Sequence, residues 1–159
     1  MFPTEQPSGQ LKFQPDAGTD SLRLGELLLR TYEESQDCPQ LNGVRNSIDV
    51  LEGYREQGVF APERWFFVQR EDHDVGALIL TDHPEGGNWE LVYMGLVPEA
   101  RGNGLGRQIL DFAMWQAGLG GAERLVLAVD EANQYAREMY ERAGFVAWDY
   151  RTVYARLRT

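Results

Sequence analysis

The sequence predicts an α/β protein with a mixed sheet of about six to seven strands and about four flanking helices. Three observations carry that expectation. Short β-rich runs alternate with helical periodicities in the order β-α-α-β-β-β-α-β-α-β. Between Trp89 and Val129 a strand, a helix and a strand follow one another closely, which implies a right-handed parallel crossover and hence a β-α-β core. A length of 159 residues with 43% hydrophobic side chains suits one core, so residues 1–159 are read as a single domain.

The elements follow in order. Leu11 to Gln14 reads as a first strand. Ser21 to Ser35 reads as a helix with Leu24, Leu27, Leu28, Thr31 and Tyr32 on one side, broken by Pro39 and Gly43. A second helix, about Val44 to Gln57, turns Val44, Ile48, Leu51 and Tyr54 inward and stops at Gly58. Arg64 to Arg70 and Val75 to Thr81 are strands joined by the polar turn Glu71-Asp72-His73-Asp74. Asp82 to Asn88 is a loop containing Pro and Gly, and Trp89 to Leu96 is a strand closed by Pro98. Leu105, Ile109, Phe112, Ala113 and Gln116 then recur at helical spacing, Glu123 to Val129 is a strand, and Asn133 caps a helix ended by Gly144. Phe145 to Trp148 and Thr152 to Leu157 read as two last strands with only about three residues between them. They are expected to form a short hairpin, one bent strand, or a pairing with a second subunit in a homodimer.

The most informative run is Leu96-Val97-Pro98-Glu99-Ala100-Arg101-Gly102-Asn103-Gly104-Leu105-Gly106, where a buried strand passes through a glycine-rich turn into a helix. The first amides of a helix have no internal partner, and the macrodipole places about half a positive charge there. A phosphate fits such a place. Glycines at 102, 104 and 106 keep side chains away from those amides and permit positive φ, while Arg101 and Arg107 add mobile positive charge. A dinucleotide fingerprint would need its third glycine at Arg107, and a Walker loop needs Gly-Lys-Ser/Thr, whereas the only lysine is Lys12.

The run resembles the signature V-x-P-x-x-[RQ]-x-x-G-x-[GA] of the GNAT superfamily of acetyl-CoA-dependent N-acetyltransferases, with Leu96 in place of the valine. Asn133 to Phe145 resembles the family's second motif, N-x-x-A-x-x-x-Y-x-x-x-G-F, at every specified position. Two motifs in the family's order make chance agreement improbable. The resemblance implies a twisted, mostly antiparallel sheet in which the strands before and after the first motif splay apart. The pantetheine arm of acetyl-CoA would lie in that gap against backbone groups of Met94, Gly95 and Leu96. The phosphates would meet Arg101, Gly102, Asn103, Gly104, Leu105, Gly106 and Arg107, with Asn133 as a further contact or simply a helix cap. Tyr140 matches the family's tyrosine that assists the departing thiolate, and Glu90, six residues before Leu96, stands where some branches, histone acetyltransferases among them, place the general base.

The chemistry asks for those types. An amine with a pKa near 10.4 must lose a proton before attack, a cost of about 4.6 kcal/mol at pH 7, so a base or a water path to one is required. Glu90 shares a face with Val92, Met94 and Leu96 if the strand alternates unbroken; a bulge would turn it. A strand-end charge facing solvent is the other reading of Glu90. A backbone N–H near Leu96 is the candidate oxyanion donor. Because a phenol ordinarily titrates near 10 and a thiol near 8.5, Tyr140 is suited to donate to the departing thiolate, although a packed helix tyrosine would show the same spacing.

Charge and composition exclude other classes. A net charge of −10 opposes nucleic-acid binding. Residues 1–80 hold 14 of the 25 acidic side chains and 7 of the 15 basic ones; since the resemblance implies that the N-terminal helices border the acceptor site, that excess favours a cationic amine acceptor, and solubility is its other reading. With one Cys and two scattered His, His73 and His83, both in polar turns, no zinc-ligand spacing exists, so no metal is expected. Cys38 beside Pro39 has no implied His partner for an acyl-enzyme route. No apolar run approaches a membrane span and no leader is evident, so a cytoplasmic enzyme without membrane contact is expected. The expected activity is acetyl transfer from acetyl-CoA to a primary amine by direct attack. The alternatives are a non-catalytic acyl-CoA-binding regulatory module and a transferase of a different acyl-CoA.

Overall fold

The computed structural model describes residues 1–18, 20–35, 46–58, 60–152 and 154. Its elements are β1 (Lys12–Pro15), α1 (Ser21–Tyr32), α2 (Ser47–Arg55), β2 (Trp65–Arg70), β3 (His73–His83), β4 (Asn88–Leu96), α3 (Leu105–Leu119), β5 (Arg124–Leu127) and α4 (Gln134–Arg142). The strands form one sheet in the order β1-β2-β3-β4-β5. The first four pair antiparallel and β5 runs parallel to β4, as a crossover through α3 requires.

Directly opposed residues share a face. Trp65, Ile79 and Tyr93 align on one side of the sheet and Phe66, Leu78 and Met94 on the other. α1 and α2 cover the first side: Tyr32 meets Tyr93 edge-on at 5.2 Å and Tyr54 meets Trp65 at 6.5 Å. α3 covers the second, where Phe112 stacks on Phe13 at 3.8 Å and stands edge-on to Phe66 at 5.1 Å. Leu24, Leu28, Leu78, Ile79, Leu80, Ile109 and Leu110 are sealed between these layers.

Several expectations are corrected. The sheet has five strands among the described residues, not six or seven. Phe145 to Trp148 is not a strand, and Val146 and Trp148 stand exposed. Its apolar alternation marks a surface suited to a pleated neighbour, which does not itself supply one. Most of the expected strand Thr152 to Leu157 lies outside the described residues, as do Cys38, Pro39, Gly43 and Val44. α2 begins at Ser47 because Asn46 caps it, accepting from the Asp49 amide at 3.0 Å. That start turns Val50 and Leu51 inward and leaves Ile48 65% exposed. The β2–β3 turn is tighter than the four polar residues suggested. Glu71 and Asp72 take φ of +51° and +65°, a turn whose twist suits a hairpin, and His73 already pairs with Arg70. Beside it Arg23 grips Asp74 through Nε at 2.7 Å and Nη2 at 2.6 Å. These bonds, with one from Gln69, hold the Asp74 carboxyl below its ordinary pKa against the opposing effect of burial.

Candidate active site

The β4–β5 ladder is short. It runs from Asn88 opposite Arg124 to Leu91 opposite Leu127, whereas β4 continues to Leu96, so a gap opens beyond the end of β5. The orientation of the β4 main chain follows from one bond. The Val97 amide donates to the Val75 carbonyl at 2.9 Å, and antiparallel partners alternate between bonded and non-bonded pairs. Gly95, opposite Ala77, therefore turns its polar groups toward β3, while Met94 and Leu96 turn theirs into the gap. The Leu96 carbonyl is taken by Arg101 Nε at 3.2 Å.

After β4 the chain makes a short turn at Pro98–Ala100 and enters the glycine segment. Gly102 and Gly104 have φ of +84° and +73°, so these two need glycine for their backbone conformation. Gly106 is different: it is helical, and a Cβ there would touch Met139 Sδ at 3.5 Å and Met94 Cε at 4.0 Å. Its lack of a side chain keeps open the space between α3, β4 and α4. The main-chain N–H groups of Gly102, Asn103, Gly104, Leu105, Gly106 and Arg107 donate to no other group among the described residues. Leu105, 1% exposed, anchors the helix start from beneath. This run of amides without a protein partner among the described residues, at a helix N-terminus, fits a diphosphate, and the adjoining gap fits a slender amide-bearing arm, which together are the parts of a CoA ester.

The two arginines behave differently from the mobile charges expected. Arg101 donates to the carbonyls of Thr31 at 3.0 Å, Glu33 at 2.8 Å and Glu34 at 3.3 Å. It therefore caps the C-terminal end of α1, where orphaned carbonyls and the negative pole of the dipole favour a cation. Arg107 pairs with Asp111 one turn along α3 at 2.8 Å. Asn103 turns its amide back toward the Ala100 and Arg101 carbonyls at 3.5 and 3.3 Å. Asn133 caps α4, accepting from the Ala136 amide at 3.2 Å.

Glu90 is turned by a bulge. Ile79 opposes Tyr93 but Leu80 opposes Leu91, so Val92 is an extra residue and the alternation breaks there. Glu90 consequently shares a face with Tyr93, on the side of α1 and α2, and not with Met94 and Leu96 as unbroken alternation would require. His83 Nε2 lies 2.8 Å from its Oε2. Tyr140 stands on α4 on the other side of the sheet, packed against the core with its ring 5.9 Å from that of Phe145, next to the Met139 that faces Gly106. Sequence reasoning missed the His83 contact. The signal for it was the Pro84–Gly86 connection, short enough to set His83 diagonally across from Glu90.

A separate cleft of about 760 Å³ opens between α1, the β2–β3 turn and Val97–Glu99. Two of its arginines are already engaged, Arg23 with Asp74 and Arg30 with Glu99, so its charge is largely internally balanced.

The sheet edge that opens beyond β5 and the glycine turn at the start of α3 together mark an α/β fold with a place for a slender anionic ligand of the CoA type. The chain belongs to the acetyltransferase (GNAT) family, whose model matches residues 25–145. It is similar to a mycothiol acetyltransferase of Thermobispora bispora, with 30% identity over 115 residues, covering 69% of this chain and 39% of that protein. The chain thus spans well under half the length of that relative. Among solved structures, an aminoglycoside acetyltransferase from an uncultured soil metagenomic sample has a TM-score of 0.65 at 16% identity, covering 94% of this chain and 97% of that one. A Bacillus subtilis acetyltransferase in complex with CoA has a TM-score of 0.59 at 18% identity, covering 85% and 74%. At these identities the structures speak for the fold. Among the described residues no helix is long and apolar enough to cross a membrane.

Proposed function

We propose that this chain transfers an acetyl group from acetyl-CoA to a primary amine of a small molecule or protein, by direct attack within a ternary complex. The observation that carries the proposal is the form of β4. Its bulge at Val92 turns Glu90 toward α1 and α2, while Met94 and Leu96, beyond the bulge, direct their main chain into the gap. One strand thus serves an acceptor on one side and an acyl donor alongside.

Bound acetyl-CoA would supply the activated thioester. The amides of Gly102 to Arg107 would hold its phosphates, with Arg101 contributing by tying the turn to α1, and the Met94 and Leu96 main chain would hold its arm. Gly95 orders the strand against β3. The Leu96 N–H is the donor aimed at the developing oxyanion. Glu90 would take a proton from the ammonium, and Tyr140 would donate to the departing thiolate from the opposite side of the sheet. Asn133 would act by starting α4, which carries Tyr140. The acid excess of residues 1–80, which include both helices on the Glu90 side, supports a cationic acceptor. We place this activity in the cytoplasm, with no nucleic acid or membrane as partner and no metal.

A panel of amines tests the reading: a polyamine, amino acids, an aminoglycoside, a mycothiol-related amine and a peptide with a free α-amino group. Released CoA thiol is followed with mass spectrometry of the product. Acetylation of at least one amine is expected. Tight CoA binding without turnover on the whole panel would instead establish a non-catalytic acyl-CoA-binding module, and turnover only with another thioester would change the donor.

A further inference from the structure

We propose that His83 is a positioning residue that holds the Glu90 carboxylate in register for proton abstraction. The inference rests on the reading of Glu90 as the base. His83 is the last residue of β3. Thr81 opposes Glu90 and His83 opposes Asn88, so the register sets His83 diagonally next to Glu90 on the α1/α2 face. Its Nε2 is 2.8 Å from Glu90 Oε2, and among the described residues no other hydrogen bond or ion pair reaches that carboxylate. Thr81, opposite Glu90, spends its hydroxyl on the Gln57 carbonyl at 3.0 Å, and Tyr93 is bonded to Thr31 at 2.7 Å.

The two side chains are 39% and 27% exposed. A pair this open to water adds little to stability, so its value lies in orientation. The last torsion of a glutamate is broad, and a carboxylate without a fixed partner samples many directions. Donation from His83 Nε2–H to Oε2 fixes one oxygen and leaves Oε1 for the amine. The proton balance is simple. The ammonium N–H bond breaks, Oε1 gains the proton, Glu90 becomes a neutral acid whose Oε2 still accepts from His83 Nε2–H, and the exposed rim lets water carry the proton away. His83 touches neither substrate.

The test compares wild type with His83→Phe, His83→Gln, Glu90→Gln and the His83→Phe/Glu90→Gln double variant, using the fastest amine of the panel and acetyl-CoA. His83→Phe is expected to lower kcat roughly ten- to a hundredfold, the effect of one hydrogen bond to a charged group, with the KM for acetyl-CoA unchanged. His83→Gln, which keeps an amide donor, should recover most of it. In the Glu90→Gln background His83→Phe should cost nothing more. Nitrogen NMR of the ring supplies a readout independent of turnover: His83 should carry its proton on Nε2 in the wild type, with the resonance shifting in Glu90→Gln. Wild-type kcat in His83→Phe, a loss that multiplies with that of Glu90→Gln, or a ring protonated only on Nδ1 would each overturn the proposal. Wild-type turnover in Glu90→Gln itself would overturn the base assignment instead.

Discussion

Gly106→Ala separates the cradle's binding role from its structural one by producing effects of opposite sign. Gly106 has ordinary helical φ, and the added methyl would meet Met139 Sδ at 3.5 Å and Met94 Cε at 4.0 Å, both ordinary contacts. The ligand-free protein should therefore accept it. Alanine is favoured over glycine in a helix by up to about 1 kcal/mol, which would raise Tm by roughly 2–4 °C for a chain of this size. The same methyl stands in the space that the acyl donor needs between α3, β4 and α4, and we expect CoA affinity to fall about tenfold, or ~1.4 kcal/mol. At a CoA concentration of about a hundred times the wild-type Kd, the wild type gains about 2.7 kcal/mol and the variant about half that. Thermal unfolding with and without CoA reads both numbers. A raised ligand-free Tm with the full wild-type CoA shift would refute the placement of the donor. Gly104→Ala is less informative: at φ +73° the backbone alone costs about 1–2 kcal/mol and lowers both values.

Tyr140→Phe should bind acetyl-CoA normally and lose roughly a hundred- to ten-thousandfold in turnover, with part recovered by a thioester of lower thiol pKa; equal turnover with both donors would remove the acid role. Arg101→Ala strips the caps from the Thr31, Glu33 and Glu34 carbonyls and should cost about 2 kcal/mol in urea unfolding of the ligand-free protein. Unchanged ligand-free stability would show that Arg101 does not hold α1 to the glycine turn. Asp74→Asn should cost about 1 kcal/mol at pH 7, since both partners of the Arg23 pair are partly exposed. Because folding depresses the Asp74 pKa, that stabilisation is complete above the unfolded value of about 3.9 and disappears as pH falls through the lower folded value. The urea-unfolding curves of variant and wild type should therefore converge in acid, and a gap that persists there would contradict the ion pair as its source.

Local chemistry was legible wherever a residue's role depends on chain neighbours alone. Asn133 caps α4 and Gly144 ends it at φ +93°, and Leu24, Leu27, Leu28 and Thr31 form the buried stripe of α1, as their spacing implied. The phase of α2 was less secure. Val44 and Ile48 have helical spacing, but the cap at Asn46 set the start, and packing of Ser47 over Gly25, where an added Cβ would come within 2.9 Å, set the side turned inward.

By itself the sequence determined the order of elements from β1 to α4, the glycine turn between β4 and α3, and the motifs that mark the family, because these are written in residues a few positions apart. Tertiary structure decided what faces what. An extra residue at Val92 reverses the side on which Glu90 lies, and that extra residue exists only relative to the register of β3. The gap depends on where pairing with β5 stops. Arg101 adjoins the glycines in sequence, and the carbonyls it binds in the fold belong to the end of α1, far away in sequence. His83 looked like a turn residue until the hairpin folded it onto Glu90. A side chain's type and spacing are local properties, whereas its partner is set by whichever strand or helix end the packed core brings within bonding distance.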